Sequence, residues 1–230
     1  EYVKIHNAHL NENIYKLPNK LTYEEGAFTE PTSIGASAVK IANPTKEDNV
    51  VILGAGTIGL CVMQVMKAIA SKIIIVDLST KRLEVAKELG ADVIINASKE
   101  NPLKKVIEAT GEGRWLFGTG GFADIVIDCV GTGETFKQAI DMVRTGGKIV
   151  LVGLGGYVKP ALVNPSILIH KYINVLTCLG EDFPKALALL ESGIVKVKPM
   201  ISHEFPLEEA NEAFKTQLNK ELSIKVLVKP

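Results

Sequence analysis

The sequence predicts an α/β fold, a doubly wound six-stranded parallel sheet with β segments of a second unit at both termini. Two observations carry that expectation. From about residue 50 onward, short apolar runs alternate with amphipathic stretches of helical period, the pattern of strands and helices wound into a parallel sheet. The 230 residues also hold the material for a core, with 47% hydrophobic and 23% charged side chains, which excludes a disordered chain.

Residues 50–53 form a buried-strand run, and Ile58, Cys61, Val62, Val65, Met66 and Ile69 then recur at helical spacing, so strand gives way to helix at Gly54. Residues 73–76 read as the second strand. A helix over 80–89 follows, with Ser79 as its N-cap and Gly90 as its stop. Residues 93–95 make a short third strand, and Asn101-Pro102 opens another helix, because Asn caps well and Pro is tolerated at the first helical position. Residues 125–129 are the fourth strand. Phe136, Ala139, Ile140 and Val143 form the stripe of the next helix, which Gly146 and Gly147 are expected to end. Residues 148–152 and 173–179 supply strands five and six, and a helix over 184–191 stops near Gly193. Six strands with crossovers complete a two-halved dinucleotide fold.

The ends depart from this alternation. Residues 2–5 are strand-like and lead to a polar loop and a turn at Pro18; residues 198–230 carry Pro199, Pro206, a short helix over 208–216 and a closing strand over 224–228. The expected division is therefore 1–32 and 198–230 as parts of a second unit, interrupted by a nucleotide-binding domain over 33–197.

Lys plus Arg equals Asp plus Glu at 26 each, so no global field exists to hold nucleic acid or an anionic membrane. A small molecule bound locally is the expected ligand. No apolar run approaches the roughly 18 residues of a membrane span, and the first residues lack the basic-then-apolar layout of a signal peptide, so a cytoplasmic location is expected. The chain begins at Glu1 and its first Met is Met63, from which it is expected to be part of something longer. Cys61, Cys129 and Cys178 form no CxxC pair and read as reduced core residues.

Gly54-Ala55-Gly56-Thr57-Ile58-Gly59 is a GxGxxG motif set between a predicted strand and a predicted helix. The first glycine permits the tight turn, the second lets backbone approach a pyrophosphate, and the third lets helix pack on strand. A pyrophosphate would then sit on the helix N-terminus, where free N–H groups and the helix dipole favour an anion. Asp77 ends the second strand about 20 residues further on, where a carboxylate accepts from both adenosine-ribose hydroxyls and repels a 2′-phosphate. NAD is thus expected over NADP. Arg82 is placed to lie over the adenine, or to tolerate a phosphate and weaken that preference. In such sheets ligands bind beyond the carboxyl ends of the strands. Cys129-Val130-Gly131 and Val152-Gly153-Leu154 follow strands four and five there, and are small or apolar, as a nicotinamide face requires.

Several segments together resemble the zinc-dependent medium-chain alcohol dehydrogenases, and within them the sorbitol, threonine and butanediol dehydrogenase branch. They are Thr29-Glu30-Pro31 before a short helix, the GAGTIG turn, Val76-Asp77-Leu78-Ser79 with Arg82, Leu89-Gly90-Ala91-Asp92, Leu151-Val152-Gly153-Leu154-Gly155 and the run from Ser202 to Ala210. The resemblance implies a Rossmann domain between remnants of a GroES-like catalytic domain, whose main body would precede Glu1. It puts cofactor contacts on Ile58, Asp77, Arg82, Val152, Gly153 and Leu154, and more weakly on Lys225. It matches Glu30 to the carboxylate that, in this branch, ligates the catalytic zinc or its water; a capping acid at a helix start is the plainer reading. It further implies NAD and, in the parent enzyme, zinc, with hydride transfer from a secondary alcohol or polyol, and a homo-oligomer, dimer or tetramer.

The chain lacks the Cys and Gly-His-Glu motif that supply the family's other zinc ligands, and a catalytic zinc needs three protein ligands. His6 and His9 lie near Glu12 in a joining loop; His170 and His203 read as a helix-end and a loop residue. The 230 residues alone are accordingly expected to bind NAD and to turn over little or no substrate. The Gly-rich segment 111–122, with the only Trp, reads as a mobile surface loop or a partner contact, and the segment after strand six looks short. Two rivals stay open: a non-enzymatic NAD-binding module, and a methyltransferase, which would add an antiparallel seventh strand.

Overall fold

The computed structural model describes residues 3–70, 72–155, 160–180 and 182–230. Its centre is a six-stranded sheet built from β1 (Asn49–Leu53), β2 (Lys72–Asp77), β3 (Val93–Asn96), β6 (Ala123–Asp128), β7 (Val143–Leu151) and β8 (Asn174–Thr177). Their order is β3-β2-β1-β6-β7-β8, and every pairing is parallel. The sheet thus reverses direction of winding between β1 and β6, the place where such folds open a ligand crevice. The register aligns Leu53 with both Val76 and Asp128, and Asp128 with Leu151, so the strand ends that carry the expected site lie side by side.

Both faces of the sheet are covered. Val50, Ile52, Ile73, Ile75, Ile125 and Ile127 pack into one core, with α2 (Thr29–Ala42), α3 (Thr57–Lys67), α4 (Thr80–Glu88) and α8 (Phe183–Glu191). Val51, Leu53, Ile74, Val76 and Val126 pack into the other, with α5 (Pro102–Thr110), α6 (Gly133–Met142) and α7 (Pro165–His170). Alternate residues of one strand serve opposite cores, which is why the strands read as unbroken apolar runs. The caps act as their sequences suggest: Ser79 and Asn101 accept from Arg82 and Lys104 amides, and Gly90 takes φ +105° after α4.

Helix α6 ends at Met142, not at Gly146 and Gly147; Val143 is already extended at ψ 141° and begins β7, since a β-branched residue favours strand. Residues 143–147 are then taken up by a shift in the β6–β7 register, with Gly146 at φ +74°. Segment 111–122 is a hairpin of β4 (Glu112–Trp115) and β5 (Gly118–Gly121), not a loop; Gly120 and Gly121 let it approach the carbonyls of Asp141 and Met142, where no Cβ fits. Residues 3–5 carry no strand and are exposed, with no pairing partner among the described residues; Tyr2 lies outside the described residues.

Of the flanks, α1 (Tyr23–Gly26) has a full capping box from Thr22 and Glu25. The C-terminal residues give β9 (Ile201–Pro206), α9 (Ala210–Leu218) and β10 (Lys225–Lys229), with β9 and β10 paired parallel. His203 therefore sits on a strand and not in a loop, while His170 does end a helix, α7. Lys229 bridges Glu24 and Glu204 at 2.8 Å each, joining α1 to this small sheet. No helix among the described residues is long and apolar enough to cross a membrane.

Candidate cofactor site

The turn after β1 is held in a form that only glycine permits at two of its positions. Gly54 has φ +98°, and a Cβ there would come within 2.8 Å of Val130 Cγ2. A Cβ on Gly59 would run into the Gly54 carbonyl, so helix α3 can lie this close to β1 only without one. Gly56 is different: its backbone is extended, and the nearest atom to a Cβ there is Arg82 Nη1 at 3.7 Å. That is an open cradle, in front of a helix whose N-terminus has no side-chain cap. The first-turn N–H groups of Thr57, Ile58 and Gly59 face it as a ready anion site.

Asp77 closes β2 beside this turn. Its Oδ2 accepts from the Ala55 amide at 2.7 Å and its Oδ1 from the Ser79 amide at 2.8 Å, so one carboxylate braces both the glycine turn and the start of α4. Each oxygen keeps a further lone pair for a ribose hydroxyl. Arg82 is not laid over open space: its Nε and Nη2 both donate to the Ser223 carbonyl, at 3.0 and 2.7 Å. The Thr57 hydroxyl donates to the Ile224 carbonyl at 3.0 Å, which brings Lys225 to the same helix start. Half-buried Lys225 has its ammonium 5.9 Å from the centre of the Phe28 ring.

Beyond β6 and β7 the sequence misses one residue that matters. Asp128 is fully buried; its Oδ1 accepts from the amides of Val130 and Gly131 at 3.0 and 2.8 Å, and its Oδ2 from the Thr135 hydroxyl at 2.9 Å. Its own carbonyl accepts from Val152 and Gly153, both at 2.9 Å. A single residue thus ties the two loops together. Burial pushes its carboxyl up, against the three donors that hold it charged. The signal was there to read, since Asp128 ends an apolar strand just as Asp77 does. Gly131, at φ +73°, lies against the Gly153 backbone with no room for a Cβ on either. Val130 and Leu154 are left exposed and apolar, Val152 is buried, and burial pushes the Cys129 thiol up.

Glu30 lies in the first turn of α2, exposed. Among the described residues no three His, Cys, Asp or Glu side chains gather to hold a metal ion. These residues do not make a catalytic zinc site by themselves, since such a site needs three protein ligands.

Residues 57–192, from the start of α3 through α8, match the model of the zinc-binding dehydrogenases. The chain belongs to that family. It is 37% identical to human sorbitol dehydrogenase over 221 residues, covering 94% of this chain and 58% of that protein. Two solved structures share the fold at similar extent. The 2R,3R-butanediol dehydrogenase of Bacillus subtilis has a TM-score of 0.80 at 28% identity, over 94% of this chain and 60% of its own. The alcohol dehydrogenase rspB of Escherichia coli, complexed with NADH, has a TM-score of 0.82 at 27% identity, over 95% and 63%. The chain thus spans about three fifths of the length of the zinc-binding dehydrogenases it matches. Membership of this family sets aside the methyltransferase reading.

Proposed function

We propose that this chain is the cofactor-binding part of an NAD-dependent dehydrogenase that oxidises a secondary alcohol or polyol to a ketone. The observation that carries the reading is the open cradle at Gly56, before the uncapped α3 and beside Asp77. In this reading the pyrophosphate rests on the first-turn amides of α3, where the helix dipole favours it. Asp77 accepts from the adenosine ribose and repels a 2′-phosphate, so NAD is preferred. Arg82 is anchored beside the cradle through the bonds of its Nε and Nη2 to the Ser223 carbonyl. The nicotinamide ring lies against residues 129–131 and 152–154, whose exposed Val130 and Leu154 offer an apolar wall. The bound cofactor supplies the hydride chemistry, and these residues orient its ring and keep water from one face.

Zinc enters this reading through the family alone, with Glu30 as the one candidate ligand here, and no step is derived through it. We further assign residues 1–32 and 198–230 to the catalytic unit and 33–197 to the cofactor domain, with α2 crossing residue 32 as one continuous helix. A cytoplasmic location and a homo-oligomer are part of the proposal; the oligomer is supported by the outer edge of β8, which is unpaired among the described residues and where Val175 is exposed.

Calorimetric titration with NAD, NADP and S-adenosylmethionine tests the cofactor, with binding of NAD alone or foremost expected. A turnover assay with added zinc and a polyol panel tests the division of labour. The 230 residues should show little or no turnover, and robust activity would overturn that part.

A further inference from the structure

Three side chains of the cofactor domain hold three successive carbonyls of the returning segment. Lys81 Nζ donates to Leu222 at 2.6 Å, Arg82 donates twice to Ser223, and Thr57 donates to Ile224 at 3.0 Å. Ser223 and Ile224 are buried by this docking. Thr57 and Arg82 belong to the first turns of α3 and α4, the two helix starts that flank the cradle. Arg82 also keeps an edge in reserve. Its Nη1 has no protein acceptor among the described residues and lies 3.7 Å from the point a Cβ on Gly56 would fill.

We propose that Arg82, with Thr57, makes residues 222–226 a sensor of cofactor occupancy. The proposal rests on the NAD reading above. A planar guanidinium can serve acceptors on two edges at once, so a pyrophosphate in the cradle takes Nη1 while Nε and Nη2 stay on Ser223. The bound anion then fixes the guanidinium, and the guanidinium fixes the segment. From Lys225 the ordering passes along β10 to Lys229, whose bridges reach Glu204 on β9 and Glu24 on α1. Coupling is reciprocal, so a seated segment raises cofactor affinity by the factor with which cofactor seats the segment. Arg82 is on this account a positioning residue linking the nucleotide to the catalytic unit, beyond its contact with the nucleotide.

Amide hydrogen exchange of the protein, with and without NAD at a concentration shown by calorimetry to saturate, tests this. In the wild type, NAD should slow exchange over residues 222–226 on the order of fivefold or more, the lower end of typical coupling between sites. In Arg82→Lys, saturated at its own higher NAD concentration, the first-turn amides of α3 should still slow on binding, while those of 222–226 should not, because an ammonium cannot bridge both acceptors in one plane. Lys81→Met removes the tie to Leu222 while leaving Arg82 and Thr57 in place, and should leave the NAD-dependent slowing intact. Slowing over 222–226 that persists in Arg82→Lys would overturn the proposal. So would a wild type that binds NAD with 222–226 unchanged. Absence of any NAD binding would overturn the cofactor reading itself, and this proposal with it.

Discussion

Asp77 and Asp128 close neighbouring parts of the same sheet edge, yet they do different work. Asp77 is half-buried and has lone pairs to spare, so it can face a ligand; Asp128 is fully buried and its acceptors serve the protein. Asp77→Ala should therefore lower the ratio of NAD to NADP affinity by about tenfold or more, the worth of a hydrogen-bonded charge, as read by parallel titrations. An unchanged ratio would remove Asp77 from the ribose. Asp128→Ala should instead cost about 2–4 kcal/mol in urea unfolding, because it strands the amides of Val130 and Gly131 and the Thr135 hydroxyl without an acceptor. Asp128→Asn, which keeps one acceptor oxygen, should lose less. The glycine turn and Asp77 were legible in the sequence, since their chemistry is local and their spacing fixed by one strand and one helix. Asp128 ends an apolar strand as Asp77 does and its carboxylate partners lie within seven positions, so it too left a local signal, whereas the grip of Arg82 on Ser223 did not; a pair 141 positions apart leaves no local pattern.

Among the elements, the strands and the capped helices followed their sequence closely, and His170 ends a helix as expected, while β9 escaped notice and the 112–121 hairpin was read as a loop. Each of these depends on a neighbour. Strand β9 exists through its pairing with β10, and the hairpin is fixed by what lies beneath it. There Lys171, 1% exposed, donates to the Ile140 carbonyl at 2.5 Å and sets its ammonium 4.4 Å from the centre of the Trp115 ring. Phe117 meets His170 edge-on, 4.5 Å between ring centres, beside a groove of about 590 Å³. Burial pulls the Lys171 amine down to about 8 from its ordinary 10.5, despite the nearby charge of Asp141. Below pH 8 the ammonium is charged in both folded and unfolded chains and folding carries the full cost of burying it. Between about 8 and 10.5 the unfolded chain holds the extra proton, so stability rises with pH. Lys171→Met lacks that dependence. Its stability relative to wild type should therefore fall by about 2 kcal/mol from pH 7 to pH 10 in urea melts. A constant difference would show that the amine is not perturbed in this way.

At the scale of the molecule, two cores share one sheet, and Phe28, Met200 and Ile224 of the flanks pack into one of them, while exposed ion pairs join the flanks to each other. The Lys229 bridges to Glu24 and Glu204 are exposed, and Glu24 is held down at about 2 chiefly by its bond to Lys229. That tie is present above the ordinary carboxylate range and is lost as the pH falls toward 2. The Glu24–Lys229 contact should thus open in acid before the sheet does, seen as loss of exchange protection at α1 and β10 while the central strands stay protected. Simultaneous loss would mean that flanks and sheet open as one unit. The three cysteines give such openings a clock. Cys61 is fully buried and its thiol is pushed up to about 12, which leaves on the order of one molecule in 100,000 as thiolate at pH 7; Cys129 and Cys178 are shifted the same way. An alkylating reagent at neutral pH is then blind to the closed protein. The rate at which each sulfur is capped times the parting of α2 and α3 over Cys61 and of the strand ends at Cys129 and Cys178, without any label having been added to the chain.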